Sequence, residues 1–211
     1  MGHSLYGKSM VAPYIADEVK QRPVYTAPVT LEVFDHPTID TLPTQLEKFG
    51  TSPSSELTEE LDAAAEWLGV QVEEILLAAL GRTLGRTRGE GTVAVDVTGG
   101  HRWLSHPVTL ICSDAQPMGP TEMLQGAHSA LAGAPGRDSA QSELLLNVAA
   151  AELLDVPAGR ALELRVQRVE GLLQIDWFYD ASRFDAYSIE ELAEQFPLAV
   201  IEITSDAAAP L

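Results

Sequence analysis

Leu172 to Ile203 reads LLQIDWFYDASRFDAYSIEELAEQFPLAVIEI, a strand, a turn and a capped helix in succession. Leu173, Ile175, Trp177 and Tyr179 recur at every second position, among aromatic and β-branched residues that suit a pleated surface with one face buried. Ser188 followed by Glu191 makes a capping box. Beyond it Ile189, Leu192, Ala193, Phe196, Ala199, Val200 and Ile203 fall on one helical stripe, so the spacing predicts a helix that starts at Ser188 and packs by that stripe.

Working back from this tail, RALELRVQRVEGLLQIDWFYD reads as two strands joined through Glu170-Gly171, while SELLLNVAA suits a strand or a helix. TEMLQGAHSAL is helical. TVAVDV and HPVTLIC are buried strands, the first entered through the turn GEG. ELTEELDAAAEWL forms an acidic amphipathic helix stopped by Gly69, and VQVEEILLAALGRTLGR a second, with Leu76, Leu80 and Leu84 stacked four apart. Four or five strands with about four helices in mixed order predict an α/β layer with antiparallel pairing.

Residues 1–50 differ in style, with prolines at 13, 23, 28, 37 and 43, and end at the polar break GTSPSS. The expected division is a segment over 1–50, a linker over 51–55, a lobe over 56–206 and a tail over 207–211. Within the first segment Leu31, Val33 and Phe34 precede a His-Pro-Thr corner, and Ile39, Leu42 and Leu46 share one face of a short helix that Thr38 could cap.

The formal charge of −18, from 31 acids against 13 bases, opposes approach to nucleic acid or an anionic membrane. No apolar run reaches the roughly 20 residues that span a bilayer, and the N-terminus lacks the basic start and apolar core of a signal peptide. A soluble, cytoplasmic protein is expected. Cys112 is the single cysteine, which rules out an internal disulfide and a thiolate metal cluster; its hydrophobic flanks predict a small core residue.

The tail's strand ending in W-x-Y-D, then R-F-D and a helix of the type S-I-E-E-L-A-E-x-F, resembles the closing segment of condensation and epimerization domains of nonribosomal peptide synthetases. VQVEEILLAALGRTLGRTRGEGTVAVDVTGGHR is similar to the stretch where that family writes a helix D-x-L-L-A-A-L, a strand V-x-V-D and an E-G-H-G-R-like signature. Here the signature stands as Thr98-Gly99-Gly100-His101-Arg102, without the glutamate. Trp103-Leu104-Ser105-His106-Pro107-Val108 resembles a shortened W-F-T-x-x-x-P-V, and Asn147 matches the asparagine of F-N-Y-L-G. The resemblance covers roughly 56–206 and implies the C-terminal lobe of a chloramphenicol-acetyltransferase-like fold, which pairs with an N-terminal lobe of similar size. The family's H-H-x-x-x-D-G signature belongs to that other lobe and does not occur in these 211 residues. His101 and His106 lack its Asp-Gly, so no catalytic residue is carried over.

Met1-Gly2-His3-Ser4-Leu5 resembles the G-G-[HD]-S-L motif of carrier proteins, and Val33-Phe34-Asp35-His36-Pro37-Thr38-Ile39 the V-F-x-H-P-T-I that opens a carrier's last helix. This second resemblance implies a partial, helical carrier-like segment with phosphopantetheine attached at Ser4. Three departures accompany it: the first carrier helix is missing, Pro13 falls inside the helix that should follow Ser4, and the span from Ser4 to Phe34 is longer than usual.

Other residues have plain structural readings beside the chemical ones. His101 and Arg102 have the donors to polarise a carbonyl or hold a phosphate, and equally fix a turn between strands. His36 suits a corner, with no metal-ligand spacing around it. Asp176, Asp180 and Asp185 fit sheet positions and a turn as well as an acidic pair. Ser105 and Ser142 lack a G-x-S-x-G elbow. Arg82, Arg86 and Arg88 form a basic patch, read as a solvated helix end complementing the macrodipole or as a dock for an acidic partner domain. Three functions follow: a carrier- and partner-binding half-domain of a synthetase, one half of a two-chain acyl- or peptidyl-transfer enzyme, or a remnant without chemistry. The partners implied are other synthetase domains or subunits and carrier proteins.

Overall fold

The computed structural model describes residues 29–38, 45–52, 54–99, 102–103, 107–114, 116–133, 142–149 and 160–211. Its elements are β1 (Leu46–Gly50), α1 (Ser55–Leu68), α2 (Val72–Arg88), β2 (Gly91–Gly99), β3 (Arg102–Trp103), β4 (Val108–Cys112), α3 (Pro120–Ala132), β5 (Leu144–Ala149), β6 (Leu162–Val169), β7 (Leu172–Asp180) and α4 (Ala186–Asp206). The strands make one mixed sheet in the order β1-β7-β6-β5-β2-β3, with β4 also on β2. Strands β2, β5 and β6 run parallel; β1–β7, β6–β7, β2–β3 and β2–β4 are antiparallel. This is the expected α/β lobe with packed helices, widened to seven strands by β1 and the two-residue β3.

Alternation along the strands builds the core. Val93, Val95, Val97, Leu144, Leu146, Leu162, Leu164, Val166, Leu173, Ile175, Trp177 and Tyr179 share one buried apolar cluster with the inner faces of the helices. Burial of a side chain of this size is worth about 1.5–3 kcal/mol. Trp177 on β7 meets Phe196 on α4 edge to face, 5.8 Å between centroids, and the four helices pack against one another as a single layer on that side. Between β6 and β7, Glu170 (φ 52°) and Gly171 (φ 85°) supply the two left-handed positions of a tight hairpin turn.

Three expectations change. Leu46, assigned to a short helix, lies in β1; its partners in that assignment, Ile39 and Leu42, fall outside the described residues. The break at 51–55 is not a free linker: the Thr51 and Ser54 N–H groups donate to the Ile175 and Leu173 carbonyls, and Ser54 Oγ caps α1 by accepting from the Leu57 N–H. The tail helix begins at Ala186 rather than at Ser188, which is buried in its first turn. The cause lies far away in the chain, where Asp35 Oδ2 accepts from the Asp185 N–H at 2.9 Å.

That contact belongs to a strap, residues 29–38, held to the lobe by the R-F-D turn. Phe34 stacks edge to face on Phe184 at 5.4 Å and lies under the Arg183 guanidinium at 3.9 Å. Arg183 Nε donates to the His36 carbonyl, and His36 Nε2 pairs with Asp185 Oδ1 at 3.1 Å. Asp35 Oδ1 takes Arg88 Nη1 at 2.6 Å. Burial would raise the Asp35 carboxyl, but hydrogen bonds from Arg88, the Asp185 N–H and Ser188, with the Arg88 charge, outweigh it and hold the group below its ordinary range. The V-F-D-H-P motif thus serves here as a clip on α4. Among the described residues no helix is long and apolar enough to cross a membrane.

Candidate functional site

All four helices cover one face of the sheet, and among the described residues none lies on the other. That second face is polar. Its register aligns two rows across five strands: Gly50, Asp176, Arg165, Asn147 and Thr98 in one, and Lys48, Phe178, Glu163, Leu145 and Asp96 in the next. The residues are those left over by the apolar alternation, since successive side chains on a strand point to opposite faces.

The rows form one connected network. Thr98 Oγ1 donates to Asn147 Oδ1 at 2.7 Å, and Asn147 Nδ2 donates to Glu163 Oε1 at 2.8 Å. Arg165 Nε donates to the same oxygen at 2.8 Å, and its guanidinium lies 4.4 Å from the Phe178 ring centroid. Lys48 Nζ approaches the same ring at 5.4 Å and pairs with Asp176 Oδ2 at 3.0 Å. Gln167 and Gln174 complete the shell of Asp176 at 3.3 and 3.2 Å. Gly50 opposite Asp176 leaves room for that carboxylate, because a Cβ there would stand 2.9 Å from Oδ1.

Beside the rows, Arg160 Nη1 pairs with Asp96 Oδ2 and donates to the Ser142 carbonyl. The Ser142 N–H also donates to Asp96, and Ser142 Oγ donates to the Ala94 carbonyl at 2.5 Å.

Glu163 and Asp176 are each 1% exposed and Arg165 is 8%. Carboxylates removed from water to this degree persist only with opposite charges and donors around them, and here each has both. The three ion pairs, Glu163–Arg165, Asp176–Lys48 and Asp96–Arg160, balance the charges of the two rows on a chain of −18. Two valences stay open. Glu163 Oε2 is buried and accepts from nothing. Arg165 uses only Nε for hydrogen bonding, so Nη1 and Nη2 have no partner among the described residues, and unlike Glu163 Oε2 they are not sealed from solvent.

The residues singled out in the sequence are placed as follows. Ser4, His101, Ser105 and His106 lie outside the described residues. Asn147 lies at the centre of the network. Asp176, Asp180 and Asp185 occupy three separate settings: the polar network, the last position of β7 and the N-cap of α4. Burial would raise Asp180, but hydrogen bonds from Ser182 and the Gln45 N–H, with the Arg183 charge, lower it. Ser142 is fully engaged at the head of β5. Cys112 is a core residue, its thiol pushed up to about 12 by burial.

The basic patch needs correction. Arg82 is 1% exposed and donates from Nη1 and Nη2 to the Ser113 and Met118 carbonyls at 2.7 and 2.8 Å. Arg86 pairs with Asp114 and Glu202, and Arg88 with Asp35. The acidic groups that the arginines meet are the chain's own, brought there by folding.

Glu163, Arg165, Lys48, Asp96 and Arg160 were not singled out in the sequence. A signal existed in E163-x-R165-x-Q167 and Q174-x-D176-x-F178, which alternate against the apolar positions and meet directly in an antiparallel hairpin.

No family model matches the chain. It is 30% identical over 221 residues to a phenolphthiocerol/phthiocerol polyketide synthase subunit of Mycobacterium tuberculosis, an alignment that covers 78% of this chain and 15% of that protein. The chain therefore spans under a sixth of the length of the curated relatives it matches. Among solved structures, the epimerization domain from the third module of tyrocidine synthetase B is similar with a TM-score of 0.60 at 15% identity, over 85% of this chain and 52% of that one. The EpoB cyclization-docking bidomain from Sorangium cellulosum gives 0.64 at 12% identity, over 87% and 47%. The first condensation domain of the CDA synthetase gives 0.57 at 18% identity, over 83% and 48%. About half of each such structure is matched, and the chain has the fold of one lobe of the condensation- and epimerization-type domains of nonribosomal peptide synthetases.

Proposed function

We propose that the chain is a carrier- and partner-binding half of a two-lobed acyl- or peptidyl-transfer unit in secondary-metabolite assembly, with its helix-free sheet face turned toward the second lobe. The observation that supports this most is the face itself. Its carboxylates Glu163, Asp176 and Asp96 are buried and interlocked with the buried Arg165 and Arg160 and the half-exposed Lys48, so that charge is balanced along the rows, as suits a surface that meets a partner. A sheet face made for solvent has no need of such pairing. The coverage of about half of each condensation-type structure agrees with a missing lobe of similar size. On this reading the H-H-x-x-x-D-G histidine comes from that lobe, in another chain or elsewhere in a longer protein, and the present residues supply a wall of the reaction space. The setting is cytoplasmic.

The test is reconstitution with the histidine-bearing condensation lobe encoded beside or in frame with this chain. Light scattering should show a one-to-one complex. Transfer of an acyl group from a carrier thioester to an amine, followed by intact mass, should occur only with both lobes present. Transfer by this chain alone, or no complex, would overturn the reading. Phosphopantetheine attachment at Ser4 is part of the same proposal: incubation with a phosphopantetheinyl transferase and coenzyme A should add the arm's mass, and Ser4→Ala should abolish the gain. An unchanged mass removes the carrier role.

A further inference from the structure

Arg165 carries more organisation than an ion pair requires. Its Nε is fixed by Glu163 Oε1 at 2.8 Å, and its guanidinium is stacked at 4.4 Å on Phe178, which Lys48 flanks at 5.4 Å. Glu163 is itself fixed by Asn147, and Asn147 by Thr98. The side chain is nine-tenths buried, yet Nη1 and Nη2 have no hydrogen-bond partner among the described residues and remain open to the helix-free face. A guanidinium clamped along one edge and stacked on an aromatic face has lost its rotamer freedom before any ligand arrives, and its free edge matches two oxygens of one planar or tetrahedral oxyanion.

We propose that Arg165 is an oxyanion-recognition residue of this face, its two Nη groups taking a carboxylate or phosphate oxyanion carried by the ligand. The class of ligand rests on the function proposed above: a carrier-bound thioester, whose anionic group is either the phosphate of the phosphopantetheine arm or a carboxylate on the acyl chain. Glu163 is paired with Nε of Arg165 itself, and Asp176, opposite Arg165 in the sheet register, with Lys48. The incoming anion therefore meets a site of balanced charge with two directed donors, which gives selectivity for oxyanion geometry more than long-range attraction.

The experiment uses the purified chain and four probes: 4′-phosphopantetheine, pantetheine, the N-acetylcysteamine thioester of succinate and the same thioester of acetate. Binding is followed by titration calorimetry and by the Arg165 ¹⁵Nε side-chain resonance, which a merely structural role would leave unmoved. At least one anionic probe should bind about tenfold or more tightly than its neutral counterpart and shift the Arg165 resonance. Preference for 4′-phosphopantetheine identifies the arm as the source of the anion; preference for the succinyl thioester identifies the acyl chain.

Arg165→Lys keeps a charge for Glu163 but loses the fork, and should erase the selectivity while the protein stays folded. The neutral pair Glu163→Gln with Arg165→Gln does the same without leaving an unpaired charge. Equal binding of anionic and neutral probes overturns the proposal, as does selectivity that survives Arg165→Lys, or no binding of any anionic probe at millimolar concentration. A one-to-one complex with the second lobe that forms without such selectivity would overturn this inference and leave the two-lobed reading standing.

Discussion

Gly85 and Gly126 both sit inside helices, and replacing each by alanine should move stability in opposite directions. A Cβ on Gly85 would lie 2.3, 2.5 and 2.6 Å from the backbone C, N and Cα of Ser113, against ordinary contact at 3.4 Å or more. About 1 Å of movement is needed. Ser113 has little freedom to give it, being 4% exposed with its carbonyl bound to Arg82. A Cβ on Gly81, one turn earlier, would lie 2.4 Å from the Ile111 carbonyl oxygen, so α2 rests on the β4 segment through two glycines.

Overpacking costs about 1–3 kcal/mol, and a clash with fixed backbone belongs at the upper end. Alanine returns about 1 kcal/mol of helix propensity. Gly85→Ala should then destabilise by about 2 kcal/mol and lower Tm by about 4–8 °C for a chain of this length. At Gly126 the nearest atom to a Cβ is Ile111 Cδ1 at 3.9 Å, ordinary contact, so only the propensity gain remains. Gly126→Ala should stabilise by about 0.5–1 kcal/mol. Urea unfolding followed by circular dichroism measures both. If Gly85→Ala matches or exceeds the parent in stability, the packing of α2 on β4 described above is wrong.

Arg165→Met alone should cost about 3 kcal/mol by leaving Glu163 buried without its cation, whereas Glu163→Met with Arg165→Met should cost under about 1 kcal/mol; additive losses in the double-mutant cycle would show that the pair is not coupled. Asp35→Asn should lose about 1 kcal/mol at neutral pH, as a long-range cap of α4. Because the folded Asp35 carboxyl lies below its unfolded value of about 3.9, its stabilising effect is complete above that pH and is lost as pH falls through the folded value. The gap between parent and variant should therefore close as pH falls through the folded value; a gap that stays undiminished in acid would argue against the carboxylate as the capping species. Cys112, with its thiol raised to about 12 and 1% exposed, should resist alkylation in the folded chain and react at the rate of unfolding. Rapid labelling under native conditions would place it outside the core.

The four helices and the strands β2, β4, β6 and β7 were legible because each announces itself within a short window, whereas SELLLNVAA, which forms β5, suited a strand or a helix. Leu76, Leu80 and Leu84 repeat on one helical face, and Leu173, Ile175, Trp177 and Tyr179 on one strand face. β1 was not, because its strand character comes from pairing with β7, a partner far along the chain. Leu46 and Phe49 are three apart, which suits a helix face equally well, and an exposed edge strand has no inner alternation to reveal it. The arginines of α2 were misread for a related reason. Arg82, Arg86 and Arg88 form a patch in sequence, but Ser113, Asp114, Glu202 and Asp35, which absorb them, come from three distant segments. In the candidate site Asn147 and Asp176 were visible singly. Their connection was not, since the sheet order sets β7 beside β1 and β5 beside β2 while the chain visits them in another sequence.

The same alternation that buries the tail strand also builds the polar face, and the two are mechanically joined. Trp177 is fixed against Phe196 on α4, so its neighbours Asp176 and Phe178 are fixed on the opposite side of β7. Phe178 in turn supports Arg165, and Asp176 holds Lys48 over the same ring. A packed core resists displacement of a backbone by even a fraction of an ångström, so the positions of the charged groups inherit the rigidity of the hydrophobic cluster behind them. Loosening Trp177 by truncation should accordingly be felt at Arg165, through the sheet, before any polar residue is altered. What first reads as a strand that closes a core is also the mount on which the other face presents its charges.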